Sequence, residues 1–94
     1  MEQNIEELSE IFKALSNSIR LKIVIGLLEK SECNVNLMAE KLNISQPNVS
    51  QHLTILKSAG VIEGYRKGTQ ICYKVVDEYV AKILKNMEKI NDYN

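Results

Sequence analysis

The stretch NISQPNVSQHLTILKSAG, residues 43–60, decides the fold of this chain, and the shorter YRKGTQ, residues 65–70, follows it closely. Ser45 has the chemistry of an N-cap, since its hydroxyl can accept a bond from an unpaired amide of the first turn, and Pro47 sits where a missing N–H costs nothing. The spacing predicts a helix that begins near Gln46. Gly60, the residue best suited to the left-handed conformation that closes a helix, marks its end, before the β-branched pair Val61-Ile62. At 100° per residue, Val49, Leu53 and Leu56 share one face. Pro47, Ser50, Gln51, Thr54 and Ser58 share the opposite one, with Gln46 at the exposed tip.

That opposite face is polar but uncharged. A face with no task beyond solvation more commonly carries Glu and Lys, which hold water and form helices well. Ser, Gln and Thr instead offer short or planar hydrogen-bonding groups. Gln can present donor and acceptor together to adenine, and Ser and Thr can bond a base or a phosphate.

The flanking segments give the helix a setting. Residues 35–42, VNLMAEKL, are a short apolar-periodic stretch, and Asn43-Ile44-Ser45 is long enough for the tight turn of a helix-turn-helix spanning residues 36–59. Behind it, residues 61–65 and 69–76 read as two strands joined at Arg66-Lys67-Gly68, a wing over residues 61–76 whose tip carries two cations. Such cations suit a phosphate backbone or a minor groove. The surfaces expected to touch double-stranded DNA are therefore Ser45, Gln46, Pro47, Asn48, Ser50, Gln51, Thr54 and Lys57 on the helix, with Arg66, Lys67 and Gln70 on the wing.

Charge supports this placement although the total hides it. The 94 residues hold twelve basic and twelve acidic side chains. Residues 41–74 nevertheless carry Lys41, Lys57, Arg66, Lys67 and Lys74 against Glu63 alone, a local balance of +4. The remainder carries −4. A basic patch on an otherwise acidic chain orients it toward a polyanion, and so few cations per chain call for two copies.

The remaining segments can supply that second copy. Ile5, Leu8, Ile11, Phe12 and Leu15 form a helical stripe over residues 5–15, residues 18–30 form a nearly all-apolar core helix, and Asp77 can cap a helix over residues 78–91 striped by Val80, Ile83, Leu84, Met87 and Ile90. A single domain of this length, residues 1–94, has little surplus core. Pairing the terminal helices across a two-fold axis would bury stripes otherwise left wet. The expected architecture is thus mainly α with a small β-hairpin wing, in the order α1-α2-α3-α4-β1-β2-α5.

The ordered set FKALSNSIRLKIVIGLL, VNLMAEKLNISQPNVSQHLTILKSAGVI and YRKGTQICYKV resembles the ArsR-type (ArsR/SmtB) winged-helix bacterial transcriptional repressors, over residues 8–84. The resemblance implies a cytoplasmic homodimer, joined through its first and last helices, that represses from an inverted-repeat operator and releases it when a small effector binds. It maps the base-facing positions to Gln46, Pro47, Ser50 and Gln51. It also implies two familiar metal sites, and the sequence departs from both. A Cys-Val-Cys pair is matched here by Asn34, Val35 and Asn36, with Cys33 one place too early. An Asp and several His on the last helix are matched by Asp77, but by Tyr79, Ile90 and Tyr93 near the other positions, with no His after His52. No metal and no cofactor is expected; Glu88 and Asp92 read as solvated carboxylates at a helix end.

Two cysteines remain. In winged helices the segment before the first helix of the reading motif often lies as a short strand against the second wing strand, which would make Cys33 and Cys72 neighbours. They read either as small buried hydrophobes or as a thiol pair that oxidation or polysulfide bridging joins, altering the wing. The second reading makes the chain a redox or sulfur sensor on the same scaffold. A third reading, a winged-helix protein-interaction adaptor, leaves the polar face and the wing cations without a task.

His52, alone and at the margin of the packed face, suits contact with a neighbouring helix or a phosphate. With no Gly-rich phosphate loop, zinc-type Cys spacing or paired-carboxylate motif, the sequence points away from an enzyme. The N-terminus is acidic without an apolar signal core, and the longest apolar run, near residues 23–28, is far too short for a bilayer.

Overall fold

Each of the five helices among the described residues opens on a side chain that accepts a hydrogen bond from an amide of its own first turn. The computed structural model describes residues 4–87. In it Asn4 caps α1 (Ile5–Leu15) and forms a reciprocal pair with Glu7. Asn17 caps α2 (Ser18–Glu29) and Asn34 caps α3 (Val35–Leu42). Ser45 caps α4 (Gln46–Ser58) and Asp77 caps α5 (Glu78–Asn86). Each such cap stabilises its helix by about 1 kcal/mol relative to alanine.

The turn between α3 and α4 is closed by Asn43, at φ 58° and ψ 45°, a left-handed conformation that Asn tolerates because its short amide bonds locally. At the other end of α4, Gly60 takes φ 81°, donates to the Lys57 carbonyl at 3.0 Å, and lets Val61 donate to the Leu56 carbonyl at 3.0 Å. This double closure brings Val61 back onto Leu56, and both side chains are wholly buried.

The hairpin differs from its expected form. β1 (Ile62–Lys67) and β2 (Gln70–Val75) pair antiparallel, with Lys67 opposite Gln70 and Tyr65 opposite Cys72. Only Gly68 and Thr69 remain in the turn. Arg66 and Lys67 therefore belong to β1 rather than to the loop. Neither is a strong strand former, but Gly68 at φ 65° supplies the left-handed first position of a two-residue hairpin turn, which carries the ladder right to the tip. The expected third strand is present as a single bridge, Glu32 with Tyr73, whose amide donates to the Glu32 carbonyl at 3.0 Å.

One core gathers these elements. Ile23, Val24 and Leu27 of α2, Met38 and Ala39 of α3, and Val49, Leu53 and Leu56 of α4 are buried together with Val61, Ile62, Ile11, Ala14 and Val80. The terminal helices give it only part of their stripes. Ile11 and Val80 are buried, and Leu15 and Leu84 are half-buried against the core. Ile5, Phe12, Tyr79, Ile83 and Met87 stay exposed, Phe12 at 59%. The expected continuation of α5 to residue 91, with Ile90, Glu88, Asp92 and Tyr93, lies outside the described residues.

Candidate nucleic-acid interface

Once Val49, Leu53 and Leu56 are driven inward, helical geometry turns the opposite face out. Ser45, Gln46, Pro47, Asn48, Ser50, Gln51, Thr54 and Lys57 are all exposed. They are not equally free. The Thr54 hydroxyl donates to the Ser50 carbonyl at 3.0 Å, so its hydrogen is used within the helix and only its methyl and a lone pair face outward. Ser45 holds the Asn48 amide at 3.3 Å as the cap. The Gln46 amide donates to the Asn36 side chain, which ties the tip of α4 to the first turn of α3. Asn48, Ser50 and Gln51 make no side-chain hydrogen bond to the described residues, and they form the ready donor and acceptor surface.

The wing sets its cations on two faces. Side chains alternate along a strand, so Arg66 and Lys67 point to opposite sides of the hairpin, with Gln70 paired beside Lys67. All three are exposed. Lys74 sits with its ammonium 5.4 Å from the centre of the Tyr65 ring, a cation–π contact that occupies one of the five basic residues counted in this region. Lys41 and Lys57 complete the exposed basic set.

Behind the face, α4 is braced by a contact between residues far apart in sequence. Arg20 donates from its guanidinium to His52 Nδ1 at 3.1 Å and from Nε to the Ala14 carbonyl at 2.6 Å. One side chain thus links α1, α2 and α4. Partial burial, and secondarily the Arg20 charge, lower the His52 pKa below its ordinary value, favouring the neutral ring that accepts this bond. His52 therefore meets a neighbouring helix. Nothing in the local sequence marks Arg20 as its partner.

The positions that resemblance ties to metals have other tasks. The Asn34 side-chain oxygen Oδ1 accepts from the Leu37 amide, and the Asn36 Oδ1 accepts from the Gln46 side chain. Asp77 accepts from the Val80 amide at 2.9 Å. Neutral amides and a single carboxylate engaged in capping do not fit a thiophilic or zinc-like ion. Among the described residues no group of three or more His, Cys, Asp or Glu side chains converges as a metal site.

The two cysteines do come together. The Glu32–Tyr73 bridge puts Cys33 opposite Cys72 with 3.9 Å between their Cα atoms, and a disulfide joins them. Cys72 is fully buried and Cys33 is half-buried.

The family model described as "Bacterial regulatory protein, arsR family" matches residues 17–63, from the cap of α2 into β1. The chain belongs to the ArsR family. It is 41% identical over 75 residues to the HTH-type transcriptional repressor SmtB of Mycobacterium tuberculosis, covering 80% of this chain but 55% of that protein. Here, then, the chain spans about half the length of its relative. A likeness of fuller extent is to the uncharacterized HTH-type transcriptional regulator MJ1325 of Methanocaldococcus jannaschii, 36% identical over 85 residues, 90% of this chain and 96% of that one. Among solved structures, the homodimeric winged helix-turn-helix DNA-binding domain Mb0332 of Mycobacterium bovis superposes with a TM-score of 0.79 at 27% identity, covering 97% and 89%. Like that domain, the ArsR-family chain has the winged helix-turn-helix architecture.

Proposed function

We propose that the chain is a dimeric, sequence-specific transcriptional repressor that reads an inverted-repeat operator through α4 and β1-β2 and releases it to a small effector. The observation that carries the reading is the uncharged polar face of α4, exposed along its length and flanked by Lys57, Arg66 and Lys67, on a chain whose remaining segments are acidic. Gln51 and Ser50 contact base edges, Gln46 and Asn48 contact bases or backbone at the tip, Thr54 turns its methyl to a base, and Ser45, Lys57, Arg66, Lys67 and Gln70 hold phosphates. Repressor names among the relatives support this reading over an adaptor.

A second copy, such as the homodimeric Mycobacterium bovis domain has, covers the exposed halves of the α1 and α5 stripes. Two-fold pairing there sets the reading helices one turn of DNA apart, about 34–36 Å. The protein acts by binding rather than catalysis, in the cytoplasm; no described helix is long and apolar enough to cross a membrane. A mobility-shift titration with the DNA upstream of its own gene, run against random DNA at several salt concentrations, tests the proposal. Upstream DNA is expected to bind at least 100-fold more tightly, with affinity for both falling as salt rises. Equal affinity for the two DNAs would overturn sequence-specific repression.

A further inference from the structure

We propose that the cleft between α2 and α3 is the effector site and takes a small alkyl carboxylate, which loosens the operator; this rests on the repressor reading above. The cleft encloses about 300 Å³, at the lower end of the range for small-molecule sites, and Ile23, Leu27, Met38 and Leu42 form its apolar floor. Its rim is charged. Lys22, Lys30 and Lys41 stand there against Glu29 and Glu32, a balance of +1. The Glu32 carboxylate already accepts from the amides of Cys33 and Asn34, at 2.8 and 2.9 Å. An apolar floor under a rim with one surplus cation matches a monoanion with a hydrocarbon body. A polyphosphate would call for more positive charge and less hydrocarbon. The lining has no aromatic side chain on which a ring could stack, so the body that fits is an alkyl chain.

Gly26 distinguishes this cleft from a groove left by ordinary packing. It lies inside α2, four residues after Lys22 and four before Lys30, the C-cap, so the gap it leaves is flanked along one helix face by two cations. Glycine weakens a helix interior relative to alanine. Yet Gly26 does not have a positive φ, and a Cβ added there meets no atom within 4 Å. Neither the backbone nor the packing of the chain asks for glycine. Room in the cleft does.

Filling the cleft reaches the reading helix without touching DNA. The α4 helix is tied to α3 by the Gln46–Asn36 bond and to α2 by the Arg20–His52 bond. An alkyl chain seated between α2 and α3 parts those two helices, and in a close-packed interior α4 cannot keep both ties unchanged. The tip of α4 shifts with one of them and loses operator contacts. By linkage, carboxylate and operator then weaken each other by the same factor.

The test dialyses the whole chain to equilibrium against radiolabelled octanoate, and measures anisotropy on the upstream DNA and on random DNA with and without it. Octanoate is expected to bind at one equivalent per protomer and, at saturation, to weaken upstream binding on the order of 10-fold, a typical coupling between sites. As a competitor, 1-octanol is expected to be at least about 10-fold weaker, the loss of one hydrogen bond to a charged group. Gly26→Leu fills the gap at an exposed helical position; it is expected to keep its circular dichroism and its upstream binding while no longer taking octanoate. The double variant Lys22→Gln/Lys30→Gln probes the same cleft without filling it, so it decides the matter even if Gly26→Leu loses helix content; octanoate is expected to weaken about 10-fold there, with upstream binding kept. Absence of octanoate binding, octanol competing as well as octanoate, wild-type octanoate affinity in either variant, or octanoate bound with upstream affinity unchanged would each overturn the proposal. Failure of the unliganded protein to prefer upstream over random DNA would instead remove the repressor reading and the effector role with it, while dialysis would still decide whether the cleft binds the carboxylate.

Discussion

Replacing Phe12 by alanine separates the fold from the assembly. Phe12 is 59% exposed in the described chain, so the substitution removes little from the protomer core. A Phe side chain offers roughly 200 Å² for burial; at that exposure about 120 Å² is available to a partner, worth about 3 kcal/mol at ~25 cal/mol per Å². A two-fold interface contains the residue twice, which raises the ceiling to about 6 kcal/mol. Part of this is offset by the cost of ordering side chains at an interface, and a loss of about 3 kcal/mol, or a little over 100-fold in the dimer dissociation constant, is the expected outcome. Sedimentation equilibrium reads the dissociation constant, and circular dichroism in the monomeric concentration range checks that helix content is kept. A dimer of unchanged affinity in Phe12→Ala would refute the assignment of the α1 and α5 faces. So would a protomer that unfolds, because Phe12 would then belong to the core.

Four further substitutions address the interface and its supports. Gln51→Ala is expected to weaken upstream DNA by about 1–3 kcal/mol and leave random DNA nearly unchanged, while Lys67→Ala weakens both and lowers the salt slope by about 1; equal losses on both DNAs for Gln51→Ala would show that the face is misassigned. Gly60→Ala meets no atom within 4 Å but must hold φ 81°, so it is expected to lower stability by about 1 kcal/mol, read from the urea midpoint, and an unchanged midpoint would count against the left-handed closure. His52 has its folded pKa below its unfolded value, so the unfolded chain takes up the proton more readily: its contribution is complete above about 6.5 and fades as pH falls through that value toward the folded pKa. Urea midpoints at pH 7.5 and 5.5 should therefore fall further for the wild type than for His52→Gln, whereas parallel falls would rule out His52 as the source.

Local chemistry made most of the helix-turn-helix readable. Ser45 and Pro47 announce the start of α4, Gly60 its end, and the spacing of Val49, Leu53 and Leu56 its buried face, because caps and helical period act over a few residues. The hairpin was harder. Arg66 and Lys67 look like loop residues, and only the ladder extending from the Gly68-Thr69 turn places them in β1. Bonds between distant or differently placed side chains left no trace in a linear pattern. Arg20 and His52 are 32 residues apart, Gln46 reaches back to Asn36, and the Thr54 hydroxyl turns inward to its own helix. The Cys33–Cys72 proximity was foreseeable only through the architecture, since 39 residues separate them and no local periodicity connects them.

On α1, neighbouring residues answer to different constraints. Ile11 serves the core of its own protomer, while Phe12, one position on, faces outward; Val80 and Ile83 divide α5 in the same way. Selection on who pairs with whom can therefore act on Phe12 and Ile83 without disturbing the residues that make the chain fold. In a cell that holds several proteins of this architecture, changes at those outward positions would keep their homodimers from mixing. Each regulator would then stay matched to the symmetry of its own operator.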